Sequence, residues 1–173
     1  MTVILGIDPS LSNTGLCWGN GEGEHETDLV GYVPETGECA EVNGRSGRLK
    51  VLKAKFSRHI QSIIPEYAFI EEYAYTKDIG YQAEFGGILR LRLYEAGIQM
   101  IEVSPTQLKK FALGKGVGKK EQILLQVFKR WGVEFDNSDE ADAYVLYRIG
   151  LCYTGICEPE NQAQRDVIKK LES

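Results

Sequence analysis

The stretch Val3-Ile4-Leu5-Gly6-Ile7-Asp8-Pro9-Ser10-Leu11-Ser12-Asn13-Thr14-Gly15-Leu16-Cys17-Trp18 opens the question of the fold. Residues 3–7 form a short, wholly apolar run that reads as a buried strand and stops at Asp8. Residues 9–13 are turn formers, and a second strand is expected around 15–18. A Gly/Glu-rich loop at 19–26 then precedes a third strand near 29–33. Three strands in quick succession with short connections predict an antiparallel meander.

Working outward, Leu49, Leu52, Phe56, Ile60 and Ile63 recur at helical spacing, which predicts a helix over 47–64 ended by Pro65. Residues 67–70 form a fourth apolar strand that stops at Glu71-Glu72. A helix over 82–95 is closed by Gly97, and residues 98–103 form a fifth strand. Ser104-Pro105 reads as the N-cap and first position of the next helix. Helices follow over 119–131 and 137–152, with a weaker one over 159–172. A crossover helix between strands four and five makes them parallel. The expected fold is therefore α/β: a five-stranded mixed sheet, three antiparallel then two parallel strands, flanked by helices. Residues 1–155 are expected to form the main domain and 156–173 a C-terminal helical tail.

At 173 residues, 43% hydrophobic and 26% charged, the chain has the composition of one well-cored globular domain. No apolar run approaches the ~20 residues needed to span a bilayer, and Asp8 interrupts the first strand too early for a signal peptide. A cytoplasmic location is expected, in a bacterium or in the host of a virus, with no membrane partner. Cys17, Cys39, Cys152 and Cys157 form no CxxC pair, and only His25 and His59 accompany them, so reduced thiols are expected rather than a zinc site. The net charge of -5 is unevenly spread. Residues 1–44 hold eight acids and no Lys or Arg; residues 42–65 hold six basic residues (Arg45, Arg48, Lys50, Lys53, Lys55, Arg58) and no acid. Residues 103–120 add Lys109, Lys110, Lys115, Lys119 and Lys120, again with no acid. Such segregation can build a phosphate-binding face on an acidic protein.

Four carboxylates are the chemical candidates. Asp8 and Glu71 each end an apolar strand, and strand alternation turns Glu72 to the opposite face from Glu71. Asp139 and Asp142, three apart, share a helix face that continues through Leu146, Ile149 and Tyr153. Asn137 followed by Glu140 reads as a capping box, which gives Glu140 a structural task. Capping does not account for Asp142. Asx-turn formation by Asp8, solvation of Glu71 and helix-dipole stabilisation of Asp139 are the structural alternatives. Closely packed carboxylates repel unless cations neutralise them, and oxygen ligands suit Mg²⁺.

Ile4-Leu5-Gly6-Ile7-Asp8-Pro9-Ser10 with Thr14-Gly15, then Phe69-Ile70-Glu71, then Asp139-Glu140-Ala141-Asp142-Ala143 together resemble the RuvC family of Holliday junction resolvases. Pro105-Thr106-Gln107-Leu108-Lys109 and Gly114-Lys115-Gly116-Val117-Gly118-Lys119-Lys120-Glu121-Gln122-Ile123 resemble two further elements of that family, in family order. The resemblance covers roughly residues 2–153. It implies an RNase H-like fold and a homodimeric, Mg²⁺-dependent endonuclease that nicks four-way DNA junctions in pairs. Asp8, Glu71, Asp139 and Asp142 then match the family's tetrad for two metal ions, with Mn²⁺ as a substitute. Lys109 and Lys120 match its basic residues beside the scissile phosphate. Tyr73, Tyr75, Lys77, Lys109, Lys110, Lys115, Lys119 and Lys120 are the expected DNA contacts. The family's aromatic after the catalytic Glu is replaced by Ala74, flanked by Tyr73, Tyr75 and Tyr81, which can stack on exposed bases. No nucleotide cofactor is expected, because Gly114 and Gly118 are one residue too close for a P-loop and Lys119 precedes Lys120, not Ser or Thr. The competing readings are an RNase H-type hybrid nuclease, a non-catalytic junction binder and an actin-like phosphotransferase, the last suggested by Gly6-x-Asp8-x-Ser10.

Overall fold

The computed structural model describes residues 2–23, 25–31, 44–72 and 80–173. Strands β1 (Ile4–Asp8), β2 (Thr14–Gly19) and β3 (Glu26–Val30) lead into helix α1 (Arg45–Ile63). Then come β4 (Tyr67–Glu71), α2 (Gly80–Glu95), β5 (Gln99–Val103), α3 (Pro105–Leu113), α4 (Lys120–Trp131), α5 (Ser138–Tyr153) and α6 (Gln162–Leu171). The sheet order is β3-β2-β1-β4-β5. β1–β2 and β2–β3 are antiparallel, whereas β1–β4 and β4–β5 are parallel. This is the five-stranded mixed sheet expected from the sequence.

The third strand begins earlier than the apolar residues at 29–33 suggested. Exposed Glu26 and Asp28 alternate with half-buried Thr27 and Leu29 before the strand reaches buried Val30, as suits an edge strand with one solvated face. With only Thr27 between the two acids, that half of the strand carries no apolar signal in the sequence.

Strand parity divides the core into two layers. Ile4 and Phe69 point to one face with Cys17 and Val103, under α3, α4, α5 and α6. Leu5, Ile7, Ala68 and Ile70 point to the other, under α1 and α2 through Leu52, Phe56, Phe85 and Leu89. The core therefore takes Phe85, Leu89 and Leu93 of α2, while Leu91 and Tyr94 stay exposed. Turn chemistry closes the elements where the sequence indicated. Ser104 Oγ accepts from Gln107 N and Gln107 Oε1 accepts from Ser104 N, a reciprocal capping box with Pro105 at the first helical position. Among the described residues no helix is long and apolar enough to cross a membrane.

Candidate active site

Asp8 has the strand parity of Ile4 and Gly6, and Glu71 that of Tyr67 and Phe69. The parallel register pairs Ile4 with Tyr67 and Gly6 with Phe69, so the two acids close neighbouring strands side by side. Both face the layer occupied by α5. Asp8 is 7% exposed and Asp142 6% exposed, a burial seldom tolerated by carboxylates without a partner.

Small residues bring α5 to them. A Cβ at Gly6 would lie 2.1 Å from the Ala143 carbonyl oxygen, and one at Gly15 would lie 2.1 Å from that of Asp139. Gly15 stands opposite Asp8 in the β1–β2 ladder. The first turn of α5 therefore rests on strand backbone directly beside Asp8, which is how Asp139 and Asp142 reach it. Sequence reading missed the positioning role of these glycines; the signal was a glycine inside each of two otherwise apolar strands.

The loop after Asp8 is fixed from three directions. The Thr14 hydroxyl, fully buried, donates to Ser10 O at 2.6 Å and accepts from Ser10 N at 3.1 Å. Arg48 donates to Leu11 O at 2.9 Å, and Gln82 Nε2 to Pro9 O at 3.3 Å. Arg48, one of the six basic residues of 42–65, is thus a brace of this loop. On the other strand, Arg90 donates through Nη2 to Glu71 O at 3.3 Å while its Nε pairs with Glu102. This guanidinium ties α2 to the ends of β4 and β5, and sequence reading gave no sign of it.

Burial, with Glu71 and Asp139 adding like charge, pushes Asp8 well above the usual carboxylate range. Burial also raises Glu71, against the hydrogen bond from Asp8 that lowers it. Asp142 is raised to about 7, first by burial and then by Asp8. Asp142 Oδ1 has no hydrogen-bond partner although it is buried. Burial alone would lower Lys120, but Asp139, Asp8 and Asp142 outweigh it and raise its pKa. Lys120 Nζ lies 3.3 Å from Asp139 Oδ1 with its side chain 61% exposed, and Lys109 also acts electrostatically on Glu71 and Asp142. Among the described residues no three His, Cys, Asp or Glu side chains are already closed around one point. The donor set nonetheless fits a hard cation: oxygen ligands only, like charges crowded together, and one buried acceptor left unpaired.

A model of the family described as crossover junction endodeoxyribonuclease RuvC matches residues 4–146. The chain belongs to the RuvC family. This RuvC-family chain is 33% identical over 148 residues to the crossover junction endodeoxyribonuclease RuvC of Brucella ovis, with 83% of each covered. It superposes on Thermus thermophilus RuvC with a TM-score of 0.65 at 24% identity, covering 90% of this chain and 96% of that one. The T. thermophilus RuvC complex with Holliday junction substrate gives 0.66 at 22% identity, covering 85% and 91%. Those two likenesses establish the fold; the family match makes the chain a member of a family of hydrolytic endodeoxyribonucleases.

The remaining site candidates separate in space. Glu140 is engaged as the sequence suggested, but not as a reciprocal capping box. Asn137 Oδ1 accepts from Glu140 N at 2.9 Å, whereas the Glu140 carboxylate takes the Asn137 side-chain amide and, at 3.1 Å, the Thr27 hydroxyl. It therefore joins α5 to β3. Lys110 pairs with Asp166 of α6 at 2.8 Å, and its side chain stays 37% exposed. Lys115, Lys119 and Lys120 are exposed. Tyr73, Ala74, Tyr75 and Lys77 lie outside the described residues, as does Cys39, and nothing is described of the Tyr81 side chain.

Proposed function

We propose that the chain is a metal-dependent resolvase that cuts four-way DNA junctions. In this reading Asp8, Glu71, Asp139 and Asp142 hold two Mg²⁺ ions, for which Mn²⁺ substitutes. The observation that carries it is the grouping of two buried aspartates with Glu71 and Asp139, where Asp142 retains an unpaired buried oxygen. When bound, the ions would supply an activated water and charge neutralisation at the phosphate. The protein's own part is positioning. Gly6 and Gly15 hold α5 against the strand ends, Thr14 fixes the turn beyond Asp8, and Arg90 holds the Glu71 backbone. Lys120 releases Asp139 and stabilises charge developing on the phosphoryl oxygens, and Lys109 assists from α3. Lys115 and Lys119, with Tyr73, Tyr75 and Lys77, contact the junction backbone and unstacked bases. Lys110, which also pairs with Asp166 of α6, is a further backbone contact. Residues 1–155 supply the nuclease unit and 156–173 a tail. Exposed Leu91 and Tyr94 on α2 support pairing into a homodimer with one site per subunit, as two symmetric nicks require.

The test compares Mg²⁺-dependent cutting of a four-way junction, a replication fork, a linear duplex and an RNA–DNA hybrid. Selective cutting of the junction, abolished by EDTA, is the expected result. Preferential cutting of the hybrid would replace this reading with an RNase H-type activity, and binding without cutting would make the protein a junction binder.

A further inference from the structure

Helix α5 carries carboxylates at its first turn and a thiol at its last. Cys152 lies in that last turn at 8% exposure, and the half-buried Cys157 follows five residues later. Their Sγ atoms are 2.9 Å apart, and neither is in a disulfide. The backbone between them is built to make this approach. Gly155 turns the chain at φ 73°, a conformation other residues resist. Ile156 N and Cys157 N then both donate to Leu151 O, at 2.9 and 3.1 Å. Thr154 Oγ1 closes onto Gly150 O at 2.8 Å. The returning strand of this loop lays Cys157 directly over Cys152. The site described above uses neither thiol.

We propose that Cys152 and Cys157 form a dithiol–disulfide couple that exchanges with low-molecular-weight disulfides. Cys157, the more exposed, attacks one sulfur of the incoming disulfide as a thiolate. The external S–S bond breaks, one small thiolate leaves and takes a proton from solvent, and a mixed disulfide remains on Cys157. Cys152 then gives its proton to solvent and attacks the Cys157 sulfur, expelling the second small thiol. The protein has lost two electrons and two protons, and the external disulfide has become two thiols. The order of attack follows from the two environments. The hydrogen bond from the Cys152 thiol, opposed by burial and aided by Arg148, holds Cys157 down to about 7. The same hydrogen bond, with burial, pushes Cys152 far up. The less buried, more acidic thiol is the nucleophile and the buried one resolves. The bond formed would join the end of α5 to the segment leading into α6, whose Val167 and Ile168 are buried in the α5-side layer.

The full chain carrying Cys39→Ser is equilibrated with reduced and oxidised glutathione, quenched with acid, alkylated and mapped by mass spectrometry. The expected product is an intramolecular Cys152–Cys157 link, two hydrogens lighter than the dithiol, with Cys17 still a free thiol. Alkylation of both thiols at every glutathione ratio would overturn the proposal. So would a link formed between molecules. In single variants that retain the wild-type circular dichroism spectrum, Cys152→Ser should trap glutathione on Cys157 at least tenfold more than Cys157→Ser traps it on Cys152. Equal trapping would overturn the assigned order of attack.

Discussion

The two faces of the sheet are packed by opposite means. Beneath α1 and α2, large side chains set the spacing: Leu5, Ile7 and Leu16 meet Leu52, Phe56, Phe85 and Leu89. Beneath α5, the spacing is set by missing side chains. A Cβ at Gly6 or Gly15 would strike helix backbone, and one at Gly150 would lie 2.4 Å from Ile4 Cγ2. Side chains in a conventional core can shift by changing rotamer, so that face tolerates small errors. Backbone against backbone has no such freedom. Where α5 crosses Gly6 and Gly15, beside the four carboxylates, no adjustable spacer lies between helix and strand.

The largest effect should come from the carboxylates. Asp142→Asn is expected to lower Mg²⁺-dependent cleavage by at least about 100-fold, beyond what loss of a residue that merely supports a metal ligand costs. Junction binding should survive, because it rests on the lysines. Cleavage by Asp142→Asn at the wild-type rate would remove Asp142 from the site. Next come paired substitutions on the two faces. Gly15→Ala must push α5 off the strand and is expected to cost about 1–3 kcal/mol of stability, as overpacking does, with cleavage down about tenfold or more. Ile7→Val, on the other face, should cost about 0.5–1.5 kcal/mol and leave cleavage near wild type. Denaturant unfolding and single-turnover cleavage measured on both would break the comparison if activity fell equally.

The pH dependence gives a smaller effect, confined to the α5 face. Asp8, Glu71 and Asp142 all have raised carboxyl pKa values in the folded chain. Their contribution to stability is therefore fully present below the ordinary carboxylate pKa near ~4. It is lost as pH rises through the folded values, about 7 for Asp142. In EDTA the melting temperature should fall as pH is raised from about 5 to 8. Added Mg²⁺ should restore it, by a margin that grows with pH, because cations bind the ionised carboxylates. A gain from Mg²⁺ that is flat or shrinks with pH would argue against these acids as its ligands.

Much of this was legible in the sequence because strand and helix periods assign residues to faces. Asp8 and Glu71 could be placed at strand ends, and Asp139 with Asp142 on one helix face, from spacing alone. That they meet was carried by family resemblance, since no local period says how closely a helix seats on a sheet. The contacts of Gly15 with Asp139 and of Arg90 with Glu71 O are long-range and leave no local mark. Lys109 and Lys110 were told apart only by family resemblance, because neighbouring lysines in a basic segment look equivalent. The packing of α6 on α3 gives a physical difference between them, since Lys110 meets an acid there.

The smallest effect concerns Glu140, the acid between the two candidate ligands. It stands on the same turn of α5, yet its carboxylate is spent on Asn137 and Thr27. Glu140→Gln keeps an amide oxygen that can still accept from one of these partners. The expected cost is therefore that of a weakened hydrogen bond, about 0.5–1.5 kcal/mol, with cleavage within about twofold of wild type. Thr27→Val removes the other end of the β3 contact and should cost a similar amount. Because the two residues share one bond, the double variant should cost less than the sum of the singles. Inactivation by Glu140→Gln with stability intact would mean that this carboxylate, and not Asp139 or Asp142, reaches the metal, and the division between structural and catalytic acids on α5 would have to be redrawn.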